Sequence, residues 1–173
     1  MKKARKLIDY SIFILIVLVL TLLVRSYAFQ RAEVEGNSME PTLSDGDSIL
    51  VNKLAYKLGS PKRFEVVVFP FEGDTYFIKR IVGLPGETVE IREGVLLING
   101  SLINDPMGGI PMEDAGIAAE PVVLKEDEYF LLGDNRNHSQ DSRSNMVGAV
   151  HKDRLTGKAW LRIRPLEHFG AVK

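Results

Sequence analysis

From Leu7 to Val24 the chain runs for 18 residues with Asp9 as its one charge, which reaches the lower limit for crossing a bilayer as a helix. Lys2, Lys3, Arg5 and Lys6 come before this run, and Arg25 is the one basic residue directly after it. That asymmetry orients the N-terminus to the cytoplasm and the rest of the chain outside. A cleavable secretory signal shares the basic start and apolar centre, and Ser26-Tyr27-Ala28 has the small residues of a processing pattern. The length of the run favours an anchor. Residues 1–24 are therefore expected to form a cytoplasmic basic tip and a transmembrane anchor, and residues 25–173 an extracytoplasmic domain in contact with the lipid bilayer.

Residues 25–173 are enough for one modest domain with a real core. The absence of cysteine excludes a thiol nucleophile, a disulfide framework and thiolate metal sites. His138, His151 and His168 are too scattered for a helical metal motif, so neither a metal nor another cofactor is expected. Setting aside the four N-terminal basic residues and Asp9 leaves 18 basic and 22 acidic residues, a net charge of −4. Such a surface offers no footprint for nucleic acid.

After Arg25 the pattern changes to short β-like segments punctuated by turns. Strands are expected at 49–53, 65–69, 75–82, 88–91, 95–98, 101–103, 122–124, 129–132, 147–151 and 158–164. Asn99-Gly100 between two apolar runs predicts a tight hairpin, because both central residues of a type I′ turn need positive φ. Leu84-Pro85-Gly86 marks another turn, and 105–120, with two prolines and three glycines, reads as a loop. The fold class is mainly β: a single transmembrane helix followed by an all-β domain.

Ser38 stands in Gly36-Asn37-Ser38-Met39-Glu40-Pro41-Thr42-Leu43, shortly after the apolar run. A serine hydroxyl attacks only when a base takes its proton. No Ser-x-x-Lys occurs, and Glu40 stands where Gly-x-Ser-x-Gly requires glycine, which argues against β-lactamase-like and α/β-hydrolase sites. Lys79 or a histidine remains. Lysine, with a reference pKa of about 10.4, becomes a base near neutral pH only when burial lowers it. Strand alternation sets Lys79 on one face with Phe77 and Ile81, which favours desolvation, although such a lysine can also reach water past its neighbours. The polar run Gly133 to Arg143 follows apolar Tyr129 to Leu132 and reads as a loop that either carries polar groups into a site or is simply solvated. His138 beside Ser139 and Asp141 raises a Ser-His-Asp alternative, but sequence adjacency is not triad geometry. Asp47, in the turn before the strand at 49–53, is expected to bond local backbone.

Gly36 to Leu43, Gly46 to Lys53, Lys79 to Glu87 and Gly133 to Arg143, in that order behind an N-terminal anchor, closely resemble the motifs of type I signal peptidases. These are membrane-bound Ser-Lys proteases that remove signal peptides from exported preproteins. The resemblance spans most of the chain and implies a catalytic domain of coiled antiparallel sheets. It makes Ser38 the nucleophile and Lys79 the general base. Met39 becomes a residue beside the substrate pocket, and Ser139 the hydroxyl that hydrogen-bonds and orients the lysine. Asp141 and Arg143 support the same loop, and Asp134 with Arg80 forms an ion pair tying that loop to the lysine strand. Substrate is expected to lie extended in a groove, with shallow apolar pockets for small residues at the first and third positions before the cut. Some members carry a serine two residues before the nucleophile as an oxyanion donor; Gly36 stands there, which leaves the backbone N–H of Ser38, with that of Gly36 or a water, to serve. The single anchor and short 105–120 loop resemble compact Gram-positive members. Two alternatives share these features: a tethered Ser-Lys protease that cleaves itself or another target, and a non-catalytic β-rich binding module.

Overall fold

The computed structural model describes residues 2–173. Of the expected basic tip, Met1 and the side chains of Lys2, Lys3 and Arg5 lie outside the described residues. Helix α1, Lys2–Ala28, carries the apolar run four residues past its expected end. Its 20-residue stretch Asp9–Ala28 is long and apolar enough to cross a membrane, since 20 residues at about 1.5 Å each span roughly 30 Å. Thr21 Oγ1 donates to the Val17 carbonyl at 2.8 Å, so its hydroxyl is satisfied within the helix.

Twelve strands follow: β1 Phe29–Glu33, β2 Ser48–Asn52, β3 Val66–Pro70, β4 Tyr76–Gly83, β5 Thr88–Arg92, β6 Val95–Ile98, β7 Ser101–Leu102, β8 Val122–Val123, β9 Glu128–Leu132, β10 Val150–His151, β11 Gly157–Arg164 and β12 Gly170–Ala171. They form two sheets in which every pairing is antiparallel. The larger runs β1-β2-β11-β3-β4-β9-β10, with β12 beside β11, and the smaller runs β7-β6-β5-β8. A short helix, α2, Ala55–Leu58, lies between β2 and β3.

β3 explains why the larger sheet holds together. Val66 and Val68 face a core with Met39, Leu43, Ile49, Val51 and Ile78, while Val67 and Phe69 face another with Ile81, Tyr129 and Leu131. A strand apolar on both faces is a strand buried on both faces. A third core, built on Val82, Val89, Ile91, Phe130 and Leu132, joins the two sheets.

The tight turn appears as expected: Asn99 and Gly100 have φ of 51° and 74° between the paired β6 and β7. Two strands escape sequence reading. Phe-Gln-Arg-Ala-Glu in β1 has no apolar alternation, and β12 is two residues long. The expected strand at 147–151 shrinks to Val150–His151, because the Val147 and Gly148 amides both turn back to the Ser144 carbonyl.

Candidate active site

β4 brings the lysine in. Val67 pairs with Lys79 across β3, and Arg80 pairs with Leu132 of β9. β9 therefore covers the free side of β4 from Arg80 onward, and the edge of Tyr76 to Lys79 on that side stays open. The register also delivers Asp134, two residues past Leu132, to Arg80. Asp134 accepts from Arg80 Nε at 2.7 Å and Nη2 at 2.6 Å, and the two side chains are almost sealed from water. Arg80 further donates to the Phe64 carbonyl and to Thr42 Oγ1, so one guanidinium joins β4, the polar loop and the turn that carries Ser38.

That turn is held from beneath and from the side. Met39 and Leu43, one helical turn apart, are each 1% exposed in the core, and the Leu43 amide bonds the Met39 carbonyl. Asn135 donates its backbone N–H to the Ser38 carbonyl at 3.1 Å and its side-chain amide to the Asn37 carbonyl at 3.2 Å. Asp47 Oδ2 accepts the Ser44 N–H and Arg162 Nη1, closing the base of the turn with the local bond expected of it.

The result is a contact between Lys79 Nζ and Ser38 Oγ at 2.8 Å. Lys79 is 3% exposed and sits 5.0 Å from the centre of the Phe77 ring, the strand-face neighbour expected from alternation. Burial pulls its pKa down to about 8, against the upward influence of Asp141 and then Asp134. An amine with that pKa is neutral in part at neutral pH, and a neutral amine beside a hydroxyl can take its proton.

Asp141 accepts from Arg143 Nε and Nη2, both at 2.8 Å, and from the Gly133 N–H at 3.0 Å, so this pair braces the loop. Ser139 departs from expectation. Its Oγ is buried, has no hydrogen-bond partner among the described residues and does not bond the lysine. It is packed against the α-carbon of Gly133, where an added Cβ would lie 2.1 Å from Ser139 Oγ and 2.6 Å from the Ser38 carbonyl oxygen. Gly36 also differs: its N–H donates to Asp45 Oδ1 at 2.7 Å and is already committed. His138 is exposed, with Nδ1 3.3 Å from Asn135 Oδ1.

Sequence reading missed a third buried ion pair in the same loop. Arg136 holds Asp105 through both guanidinium nitrogens, one at 2.9 Å, and donates Nε to the Gly133 carbonyl at 3.1 Å. Gly116 belongs to this brace as well, because a Cβ there would meet the Arg143 carbonyl at 2.2 Å. An arginine in a polar loop gives no local sign that its partner lies 31 residues earlier.

Ser38 and Lys79 open onto a groove of about 530 Å³ bounded by Gln30 to Glu35 on one side and Asp74 to Lys79 on the other, with Met39, Val68 and Ile78 among its lining residues. Both flanks include a strand with an unpaired edge, β1 and the start of β4, since among the described residues β1 pairs with β2 alone. Among the described residues no cluster of acidic, histidine or cysteine side chains suits a metal ion. The site sets a serine hydroxyl beside a buried lysine amine at the edge of an extended groove, an arrangement that suits acyl transfer from a peptide.

Residues 7–164 match the family described as signal peptidase, peptidase S26. Over 164 residues the chain is 37% identical to signal peptidase I P of Bacillus subtilis subsp. natto, covering 90% of this chain and 88% of that one. It is 36% identical over 182 residues to signal peptidase I T of Bacillus subtilis strain 168, covering 99% and 93%. A crystal structure of a signal peptidase I from Enterococcus faecalis V583 is 31% identical, with a TM-score of 0.48 over 58% of this chain and 97% of that one.

Proposed function

The chain belongs to the signal peptidase family, peptidase S26, and as a serine endopeptidase of that family we propose that it cuts signal peptides from exported preproteins with Ser38 as nucleophile and Lys79 as base. The observation that carries this reading is the 2.8 Å contact between Lys79 Nζ and Ser38 Oγ in a site that lowers the lysine pKa to about 8.

Ser38 Oγ attacks the scissile carbonyl as its proton passes to Lys79 Nζ. The carbonyl oxygen becomes an oxyanion, for which the Ser38 N–H is the donor we assign, since the Gly36 N–H is held by Asp45. Lys79 then hands its proton to the leaving amine, the C–N bond breaks and an ester to Ser38 remains. Water attacks that ester as the same lysine takes its proton, and Lys79 returns the proton to Ser38 Oγ as the C–O bond breaks and the acid leaves.

Specificity follows from the groove. An extended chain laid along the open edges of β1 and β4 gains main-chain hydrogen bonds. Its alternate side chains point the same way, so the first and third residues before the cut share the face toward Met39, Val68 and Ile78. A shallow apolar floor suits small side chains there, the Ala-x-Ala pattern.

β1 begins at the residue after α1 ends, and we read α1 as the membrane anchor. One flank of the groove then leaves the bilayer surface directly, where a membrane-held signal peptide presents its cleavage point, and tethering raises the effective substrate concentration. The Ala28 carbonyl accepts the Lys53 N–H at 2.8 Å and Phe29 pairs with Asn52, so cutting after Ala28 requires β1 to unpair first.

Detergent-solubilised protein incubated with a preprotein bearing Ala-x-Ala is expected to yield a new N-terminus directly after the second alanine, read by sequencing. An uncut preprotein, or a cut elsewhere, would overturn the assignment. Protease added outside intact cells is expected to digest the region after Arg25; its protection would overturn the orientation.

A further inference from the structure

Beyond the groove, the same turn that carries the nucleophile lines a second depression. Ser38 and Met39 belong to the groove, while Glu40 and Pro41 line a pocket of about 500 Å³ with Met107, Ile110, Asn135 and His138. The tip that closes this pocket is placed rather than loose. Asp105, whose side chain is 6% exposed, pairs with buried Arg136. Its Oδ1 also accepts the Met107 N–H at 3.0 Å, and its carbonyl accepts the Gly108 N–H at 3.0 Å. Because Arg136 Nε is bonded to the Gly133 carbonyl, the tip and the catalytic loop share one support. Ile110 is nevertheless 70% exposed, an apolar side chain held outward at the rim of the pocket.

We propose that this pocket is a subsite for the substrate residues immediately after the cut, and that it accepts an apolar side chain from the start of the mature chain. The proposal rests on the assignment of Ser38. Its occupant follows from continuity: a chain in the groove passes Ser38 and continues over Glu40 and Pro41, advancing about 3.3 Å per residue, so one of the first few residues past the cut faces the pocket. Pro41, Met107 and Ile110 give that residue an apolar surface, and Glu40 at the rim repels an acidic one.

The test is a preprotein series with a fixed signal peptide and Ala-x-Ala site, in which each of the first four positions after the cut is in turn Ala, Leu or Asp. In the wild type, Leu at one of these positions is expected to raise kcat/KM over Ala by about three- to ten-fold, and Asp to lower it, a modest range that fits a shallow apolar contact. The ratio of Leu to Ala, which is insensitive to the amount of folded enzyme, is expected to fall below about two-fold in Ile110→Ser. It is expected to stay at its wild-type value in Leu102→Ser, an exposed apolar residue outside the pocket. A wild-type enzyme indifferent to all four positions, or a preference that survives Ile110→Ser or is lost equally in Leu102→Ser, would overturn the subsite alone. Failure to cut even the all-alanine parent would overturn the assignment of Ser38, and the subsite with it.

Discussion

Asp134 grips Arg80 through two parallel hydrogen bonds of 2.7 and 2.6 Å that water scarcely reaches. Arg80 follows Lys79 in β4, and Asp134 follows Gly133, against which Ser139 packs and which lies beside the Ser38 carbonyl. One ion pair thus clamps the strand of Lys79 to the loop beside Ser38.

Removing one partner of such a pair leaves a buried, unpaired charge, which costs about 3–5 kcal/mol. Asp134→Ala is therefore expected to lower the unfolding free energy of the solubilised protein by about that amount, measured by urea denaturation followed by tryptophan fluorescence. A loss under about 1 kcal/mol, the range of exposed pairs, would show that Arg80 finds other partners.

Ser38→Ala and Lys79→Ala are each expected to reduce preprotein processing by more than about a thousand-fold, because the two groups act as a unit. His138→Ala is expected to keep most of the activity, since its ring reaches Asn135 and is open to solvent. Loss of activity in His138→Ala with survival of Lys79→Ala would transfer the role of base to the histidine.

In the proposed mechanism only neutral Lys79 takes the proton, so with its pKa at about 8 kcat/KM is expected to rise with pH by close to ten-fold per unit well below 8 and to level off above it. The Asp141 carboxylate holds that pKa up, so in Asp141→Asn the rise is expected at lower pH. A flat profile between pH 6 and 9, or a shift of the Asp141→Asn curve to higher pH, would contradict the assignment.

The four motif runs were legible in the sequence because each is local, and the facing of β4 because that strand obeys simple alternation, while the pairing of Arg80 with Asp134 came only from the family resemblance. Lys79 does share its face with Phe77, and Arg80 does turn the other way to Asp134. What stayed hidden depends on long separations or on the absence of pattern. β1 is polar and recognisable only by its pairing with β2, yet it forms a flank of the groove. Asp105 meets Arg136 from a stretch that read as a featureless loop. Ser139 fell in a recognised motif, but the sequence could not say that its hydroxyl packs against Gly133 and leaves Nζ to Ser38.

The same burial that lowers the Lys79 pKa works against the stability of the fold. Its folded pKa of about 8 lies below the ordinary value of 10.5, so the folded state binds this proton more weakly than the unfolded state. Below pH 8 both states carry the proton and the full cost is present, roughly 3 kcal/mol at 1.36 kcal/mol per pKa unit. Between pH 8 and 10.5 the folded state has released its proton and the cost fades as the pH rises. Lys79→Met keeps an unbranched side chain of similar length without the charge, so it is expected to be inactive yet more stable than the wild type by up to that amount at pH 7. The difference is expected to close as the pH approaches 10.5. Urea denaturation of both proteins at pH 7, 9 and 10.5 checks the sign and the window together. A methionine variant no more stable than the wild type at pH 7, or an advantage that does not shrink with rising pH, would mean that Lys79 is charged without cost in the folded protein and is not poised as a base.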